Sequence, residues 1–185
     1  EVQGGQCGFV AVMGALATSA SIVYTPEEGV NLQQLNEDIQ FLHRRFSQDP
    51  EFANDGRLVI CNEKASSVYT AQMIAQIYGE EGRDDFDSRY ESLSHVLQGG
   101  IPSPLDRVQA SRLAVRCCEF LEQHAGSSSA WDPPSAMITV RQADTIITPV
   151  AQMMEHADFA NRRGTDFWWT QCKEYVEIIS GRKSL

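Results

Sequence analysis

Positive charge is scarce in this chain. Against 25 aspartates and glutamates there are 15 lysines and arginines, a formal net charge of −10. A broad nucleic-acid or anionic-membrane surface needs a basic face, so neither partner is expected. A few arginines gathered in one cleft can still grip a small anion. Cysteine is present but unpatterned: five residues, an odd number, no CxxC, and two of them adjacent at Cys117 and Cys118. That excludes a disulfide framework and a zinc site, and leaves buried reduced thiols as the expectation. No Asn-x-Ser/Thr acceptor and no basic leader segment occur, so a cytoplasmic setting is expected; the first residue is not Met, as in a piece of a longer polypeptide. A membrane span is also missing. The stretch Gln3 to Pro26 is uncharged and long enough, but it carries Gln3, Gln6, Thr18, Ser19, Ser21 and four glycines, and TSAS breaks it in two. There is no Gly-rich phosphate loop, no Asp-rich base motif, no internal repeat and no low-complexity tract. No metal site is expected.

What the chain does have is enough apolar material for a core. Hydrophobic residues make up 42% and charged residues 22% of its 185 positions, which suits one domain or one large piece of a bigger one. CGFVAVMGALA (7–17) reads as a small-residue helix packed closely on a neighbour, and ASIVYTP (20–26) as a buried strand. Leu32, Leu35, Ile39 and Leu42 recur at helical spacing in 31–46, with Asn31 as N-cap. SQDPEFANDG (47–56) reads as a loop and RLVICNE (57–63) as a short buried strand. The spacing predicts a helix over 66–82 with Val68, Met73, Ile77 and Tyr78 as its apolar face, and a strand over 88–97. Ser103-Pro104 opens a helix that ends at Gly126. GSSSAWDPPS (126–135) is linker-like, 136–150 holds two strands around a turn at 142–144, and 165–181 forms a last helix. Strands alternating with helices of ten or more residues predict a layered αβα domain with a mostly parallel sheet, spanning 1–185 as one domain plus a C-terminal helical tail.

In such sheets ligands gather at the carboxyl ends of strands. Glu63 follows one strand. His95 to Gln98 precede the pair Gly99-Gly100, and Arg141 sits late in another strand. A helix led by Gly4-Gly5 would expose backbone amides that can meet an anion. Arg89 and Arg141 supply guanidinium forks that match phosphate geometry, and Glu63 can accept a hydroxyl. Together these are the tools for holding a phosphorylated sugar. Each has a blander reading: a strand histidine standing alone is commonly a satisfied interior residue, and single arginines are commonly surface or ion-pair residues. Arg107 reads as a structural ion-pair partner at a helix start, Trp168 and Trp169 as anchors of the last helix, and His43, His124 and His156 as surface residues. The acidic residues around Glu80 and Asp84 read as a solvated face.

The motifs EVQGGQCGFVA (1–11), RLVICNEKASSVYT (57–70), FDSRYESLSHVLQGGIPSPLDR (86–107), VRQADTIITPV (140–150) and FWW (167–169) extend across the chain. In this order they resemble the carboxy-terminal half of eukaryotic ATP-dependent 6-phosphofructokinases, of the fungal kind in particular. The resemblance implies a polypeptide of two homologous halves, catalytic then regulatory, with this chain as the later part of the regulatory half. In that half the old sugar-phosphate site is an effector site for fructose 2,6-bisphosphate. Carried over motif by motif, it comprises Gln3, Gly4 and Gly5 (where the family has Met-Gly-Gly), Glu63, Arg89, His95, Val96, Leu97, Gln98 and Arg141.

The resemblance also separates holding from transforming. Catalytic halves carry Arg where this chain has Gly5 and Gln98. Phosphoryl transfer depends mostly on positioning and electrostatic stabilisation, and losing one such donor costs on the order of 3 kcal/mol. No catalytic residue and no cofactor is therefore expected in this chain, while Mg and ATP are expected for the intact enzyme. The expected partners are a sugar bisphosphate effector and further subunits in a tetramer or larger assembly. Two other readings stand beside this one: a catalytic sugar-phosphate kinase domain, and a subunit-assembly module without a ligand site.

Overall fold

Close packing of small side chains sets the first element. In α1 (Phe9–Ala17) the residues Ala11, Val12 and Ala15 are wholly buried, so the helix backbone lies close to the sheet beneath it. The architecture comes from a computed structural model, which describes residues 1–48, 56–83, 85–126, 135–141 and 143–183. The chain divides into two compact units. One comprises Glu1–Gly99, Ala160–Arg163 and the chain from Phe167 onward; the other comprises Gly100–Phe159 and Gly164–Asp166.

In the first unit, β1 (Ile22–Tyr24) pairs in parallel with β2 (Val59–Cys61), matching Ile22 with Val59, Val23 with Ile60 and Tyr24 with Cys61. All three β1 residues are buried, as expected of a strand covered on both faces. Side chains alternate across the sheet. Ile22, Tyr24 and Cys61 therefore join Leu35, Leu42 and Ile74 from α2 (Leu32–Gln48) and α3 (Ala71–Glu81). On the other face Val23 and Ile60 join α1 together with Trp169 and Val176 of the α6 region (Thr170–Ile179). This is the layered α/β arrangement with a parallel sheet expected from the element order. Trp169 anchors the last helix as anticipated, whereas Trp168 is exposed and only edges against the Phe9 ring, 6.0 Å between centroids.

A buried polar knot crosses the α2/α3 layer. Tyr24 donates to Asp38 Oδ2 at 2.5 Å and meets the Tyr78 hydroxyl, while Arg182 faces Asp38 Oδ1 as a charge rather than as an aligned hydrogen bond. Burial pushes the Asp38 carboxyl above its ordinary range, against the opposing pull of Tyr24 and Arg182. Burial likewise raises both tyrosines and pushes the Cys61 thiol up to about 11, which keeps it inert.

Helix starts follow their caps. Asn31 Oδ1 accepts from the Gln34 amide at 2.9 Å, as expected. The helix expected over 66–82 begins only at Ala71. The Ser66 hydroxyl takes the Val68 and Tyr69 amides at 3.1 and 3.0 Å, which holds a turn ahead of the Thr70 cap. Its buried face is Ala71, Ile74 and Tyr78, while Val68 and Met73 are exposed. The larger correction concerns 88–97. No strand forms there: the chain runs irregularly to Leu93, turns at Ser94 with φ 41°, and closes as a 3-10 helix over Ser94–Gln98. A strand needs a ladder partner, and among the described residues this segment's backbone pairs across the chain only with Glu1. His43, expected on an open surface, is half-buried and paired with Asp85 at 2.5 Å.

The second unit contains α4 (Pro104–His124), the hairpin of β3 (Ala136–Arg141) and β4 (Asp144–Pro149), and α5 (Val150–Met154). Ser103 and Asp106 form a reciprocal capping box at 3.2 and 2.8 Å, as the Ser-Pro start implies. The hairpin is antiparallel with Arg141 opposite Asp144; the expected turn residue Gln142 lies outside the described residues. Cys117 and Cys118 are exposed, against the expectation of buried thiols, because they lie on a face of α4 that nothing in this unit covers. Arg107, expected in an ion pair, has none among the described residues, since the capping box already serves the helix start. Most of the loops expected at 47–56 and 126–135, together with Asp84, lies outside the described residues. Glu80 is exposed and pairs with Arg83.

Candidate functional site

The Gly4-Gly5 turn lies where the chain leaves the sheet. Val2 pairs in parallel with Asn62, which brings residues 3–5 beside the end of β2. A side chain at Gly4 would place Cβ 2.6 Å from both Asn62 Nδ2 and Cys7 O, and Gly5 has a left-handed φ of 55°. The Asn62 side chain fixes this turn further by donating to Cys7 O at 3.0 Å and accepting from the Lys64 amide at 2.7 Å.

The amides of Gly4 and Gly5 are not open. Both donate to Glu63 Oε1, at 3.3 and 3.0 Å. Nor do they lead the helix: α1 begins at Phe9, and the Gly8 amide at its start donates to both Glu27 carboxylate oxygens at 3.1 and 3.2 Å. Glu27 in turn pairs with Arg163 at 3.2 Å, and Arg163 donates to Gln6 O at 2.8 Å. The expectation of a helix N-terminus with open amides is thus corrected. Two carboxylates already occupy these donors, because unpaired backbone N–H groups at a turn and a helix start donate strongly to any carboxylate that reaches them. Glu27 and Arg163 were not singled out from sequence. Neither sits in a periodic segment, and only the fold brings them to the Gly4–Gly8 loop.

Gln98 Nε2 donates to Gln3 Oε1 at 2.6 Å, across 95 positions of sequence. The Gln3–Gln98 bond therefore adjoins, through the chain link from Gln3 to Gly4, the clasp of Glu63 on Gly4 and Gly5. His95, Val96 and Leu97 occupy the same 3-10 turn as Gln98 and are exposed; His95 Nδ1 lies 3.2 Å from Ser94 Oγ. This corrects the reading of His95 as a strand residue. Arg89 is almost fully exposed, its nearest acidic neighbour Asp87 at 3.8 Å, so its guanidinium is uncommitted by any tight pair. Arg141 belongs to the second unit, where it ends β3. Within this group the donors of Gly4, Gly5 and Gln98 are already matched by Glu63 and Gln3, and it contains no nucleophile paired with a base. Among the described residues no cluster of three or more metal-ligating side chains occurs, and no helix is long and apolar enough to cross a membrane.

A family model for phosphofructokinase matches residues 1–121. The chain is 40% identical over 192 residues to the ATP-dependent 6-phosphofructokinase of Aspergillus fumigatus, and 38% identical over 201 residues to the beta subunit of the Komagataella phaffii enzyme. All of this chain is covered in both, but only 24% and 21% of the relatives. Among solved structures it resembles phosphofructokinase from Saccharomyces cerevisiae, with a TM-score of 0.89 and 37% identity over 98% of this chain and 25% of that one. The T-state structure from Pichia pastoris gives a TM-score of 0.85 and 35% identity, covering 100% of this chain and 22% of that one. The chain spans about a quarter of the length of the relatives it matches.

Proposed function

The chain belongs to the phosphofructokinase family, and from that premise we propose that it is the sugar-bisphosphate effector-binding portion of an ATP-dependent 6-phosphofructokinase. The intact cytoplasmic enzyme would convert fructose 6-phosphate and ATP to fructose 1,6-bisphosphate and ADP with Mg, as an assembly of several such subunits. The effector of this portion is fructose 2,6-bisphosphate. The observation that carries the reading is the bond from Gln98 to Gln3 beside the Glu63 clasp on Gly4 and Gly5. It sets five of the ten proposed contacts next to one another with no catalytic pair among them.

The Glu63 clasp also assigns roles. An entering phosphate competes with a carboxylate for the Gly4 and Gly5 amides, so it depends on guanidinium charge, and Glu63 serves a sugar hydroxyl rather than the phosphate. In this reading Arg89 supplies that charge.

Kinetics of the intact enzyme test this. A charge-assisted hydrogen bond to phosphate is worth roughly 1.5–3 kcal/mol. Arg89→Ala should therefore raise the activation constant for fructose 2,6-bisphosphate by about tenfold or more, with maximal rate at saturating fructose 6-phosphate almost unchanged. Arg89→Lys should recover only part of the loss, because a point charge does not reproduce the fork. An unmoved activation constant, or a collapse of maximal rate, would refute the assignment.

A further inference from the structure

Two different charges hold the loop that carries the Gly4 and Gly5 amides. At its near end Glu63 takes those amides at 3.3 and 3.0 Å. At its far end a single nitrogen of Arg163, Nη1, donates to Gln6 O at 2.8 Å and lies 3.2 Å from Glu27 Oε1. Glu27 carries that hold on to the Gly8 amide through both of its oxygens, at 3.1 and 3.2 Å. The approach is close. A Cβ at Gly8 would sit 2.7 Å from Thr25 Cβ and 2.8 Å from Glu27 Oε2, so glycine is what admits the carboxylate here.

The far anchor is itself tied to the core. The side chains of Arg163 and Glu27 are 16% and 10% exposed, so water and salt screen the pair little. The Arg163 guanidinium lies over the Phe167 ring at 5.1 Å, and Phe167 meets the buried Trp169 edge-on at 5.9 Å. Arg162, just before it, holds a left-handed φ of 53°, a conformation that a residue with a side chain keeps where its surroundings impose it. The two ends fare differently when a ligand arrives. Glu63 cannot hold the Gly4 and Gly5 amides and serve a sugar hydroxyl at once. As it turns to the sugar, the near end loses its internal anchor. The shape of the loop then depends on the far end, where the Cys7 amide donates to Gly4 O at 3.1 Å, Asn62 holds Cys7 O at 3.0 Å and Arg163 holds Gln6 and Glu27.

We propose that Arg163 is a positioning residue of the effector site. Through Gln6 O and Glu27 it keeps the Gly4–Gly8 loop in the shape that presents the Gly4 and Gly5 amides to a phosphate of the sugar bisphosphate. It acts on the loop and not on the ligand. This rests on the reading of that loop as part of an effector site. The contribution is preorganisation: the apparent dissociation constant rises in inverse proportion to the fraction of time the loop is competent. Because one nitrogen serves both the carbonyl and the carboxylate, removing Arg163 releases Gln6 and leaves Glu27 an uncompensated, buried charge beside Gly8. A loop that is then correct about one-fifth of the time binds about fivefold more weakly.

Calorimetric titration of fructose 2,6-bisphosphate into the intact enzyme tests this, with melting temperatures measured on the same samples. Arg163→Ala should raise the dissociation constant about fivefold or more. Arg163→Lys keeps a positive charge opposite Glu27 and serves if the alanine variant does not fold; it should lie between alanine and wild type, because an ammonium lacks the planar face that stacks on Phe167. Glu27→Gln should weaken binding too. In the double variant the loss should match the larger single loss, since both substitutions break one connection. Wild-type affinity in the folded variants, with or without a lower melting temperature, overturns the proposal, because a merely structural role moves stability alone. Losses that multiply in the double variant overturn it as well. Arg89→Ala separates this inference from the reading beneath it. Weaker binding in Arg89→Ala with none in Arg163→Ala removes the positioning role and keeps the effector site, whereas a wild-type enzyme that does not bind the bisphosphate removes both.

Discussion

The two units differ in whether they own a core. In the first, β1 and β2 are sandwiched between α1/α6 and α2/α3, and side chains such as Tyr24, Leu35 and Val12 are all but inaccessible. In the second, no described side chain is fully buried. α4 packs one side on the hairpin, while Leu105, Val115 and Leu121 are 70%, 59% and 60% exposed on its other sides. Both units have regular elements and sound caps, so secondary structure alone does not distinguish them. What separates them is how many faces of each element find a neighbour. The chain spans about a quarter of the length of its relatives.

The comparison can be broken at its extremes. Trp169→Ala, in the core of the first unit, should cost roughly 3–5 kcal/mol in chemical denaturation. Leu121→Ala on α4 should stay within about 0.5 kcal/mol in this chain; a large loss there would show that the second unit is buried after all. Asp38→Ala should cost about as much as the tryptophan change, 3–5 kcal/mol, because it strands Arg182 against two tyrosines.

Asp38 also sharpens the comparison through pH. Its folded-state pKa is raised above 3.8 by burial. The stability it contributes is therefore fully present below 3.8 and is lost as pH rises through the folded-state value. Measured against Asp38→Asn, the wild-type advantage should shrink with rising pH from about 4 upward; an advantage that grows would contradict the burial argument. A modest effect is expected at the cap of α4. Ser103→Ala should cost about 1 kcal/mol. Asp106 works in the opposite sense to Asp38: its hydrogen bonds from Ser103 hold its carboxyl below the usual range, so its contribution is present above 3.8 and fades as pH falls. Circular dichroism of the helix between pH 5 and 2 reads that loss.

Much of the fold was legible from local pattern. The small-residue run 9–17, the Asn31 cap, the VIC strand, the Ser103-Pro104 start and the hairpin over 136–149 all depend on spacing and capping within a few residues, which sequence states directly. The family resemblance put Gln3, Glu63 and Gln98 forward together, and the fold bonds Gln98 to Gln3 and Glu63 to the neighbouring Gly4 and Gly5 amides. Tertiary structure decided the rest. Ser88–Leu97 has strand chemistry but no strand, because a ladder requires a partner beside it and, among the described residues, only Glu1 is there. The Gly4 and Gly5 amides, open by sequence, are taken by Glu63, which lies 58 positions from Gly5 and reaches it only because Val2 pairs with Asn62. Glu27 and Arg163 closed the start of α1 without any local signal. Caps and periodicities act over one or two turns of chain and can be read in order; partners for an edge, an amide or a charge are assigned only when distant segments are brought within hydrogen-bond range.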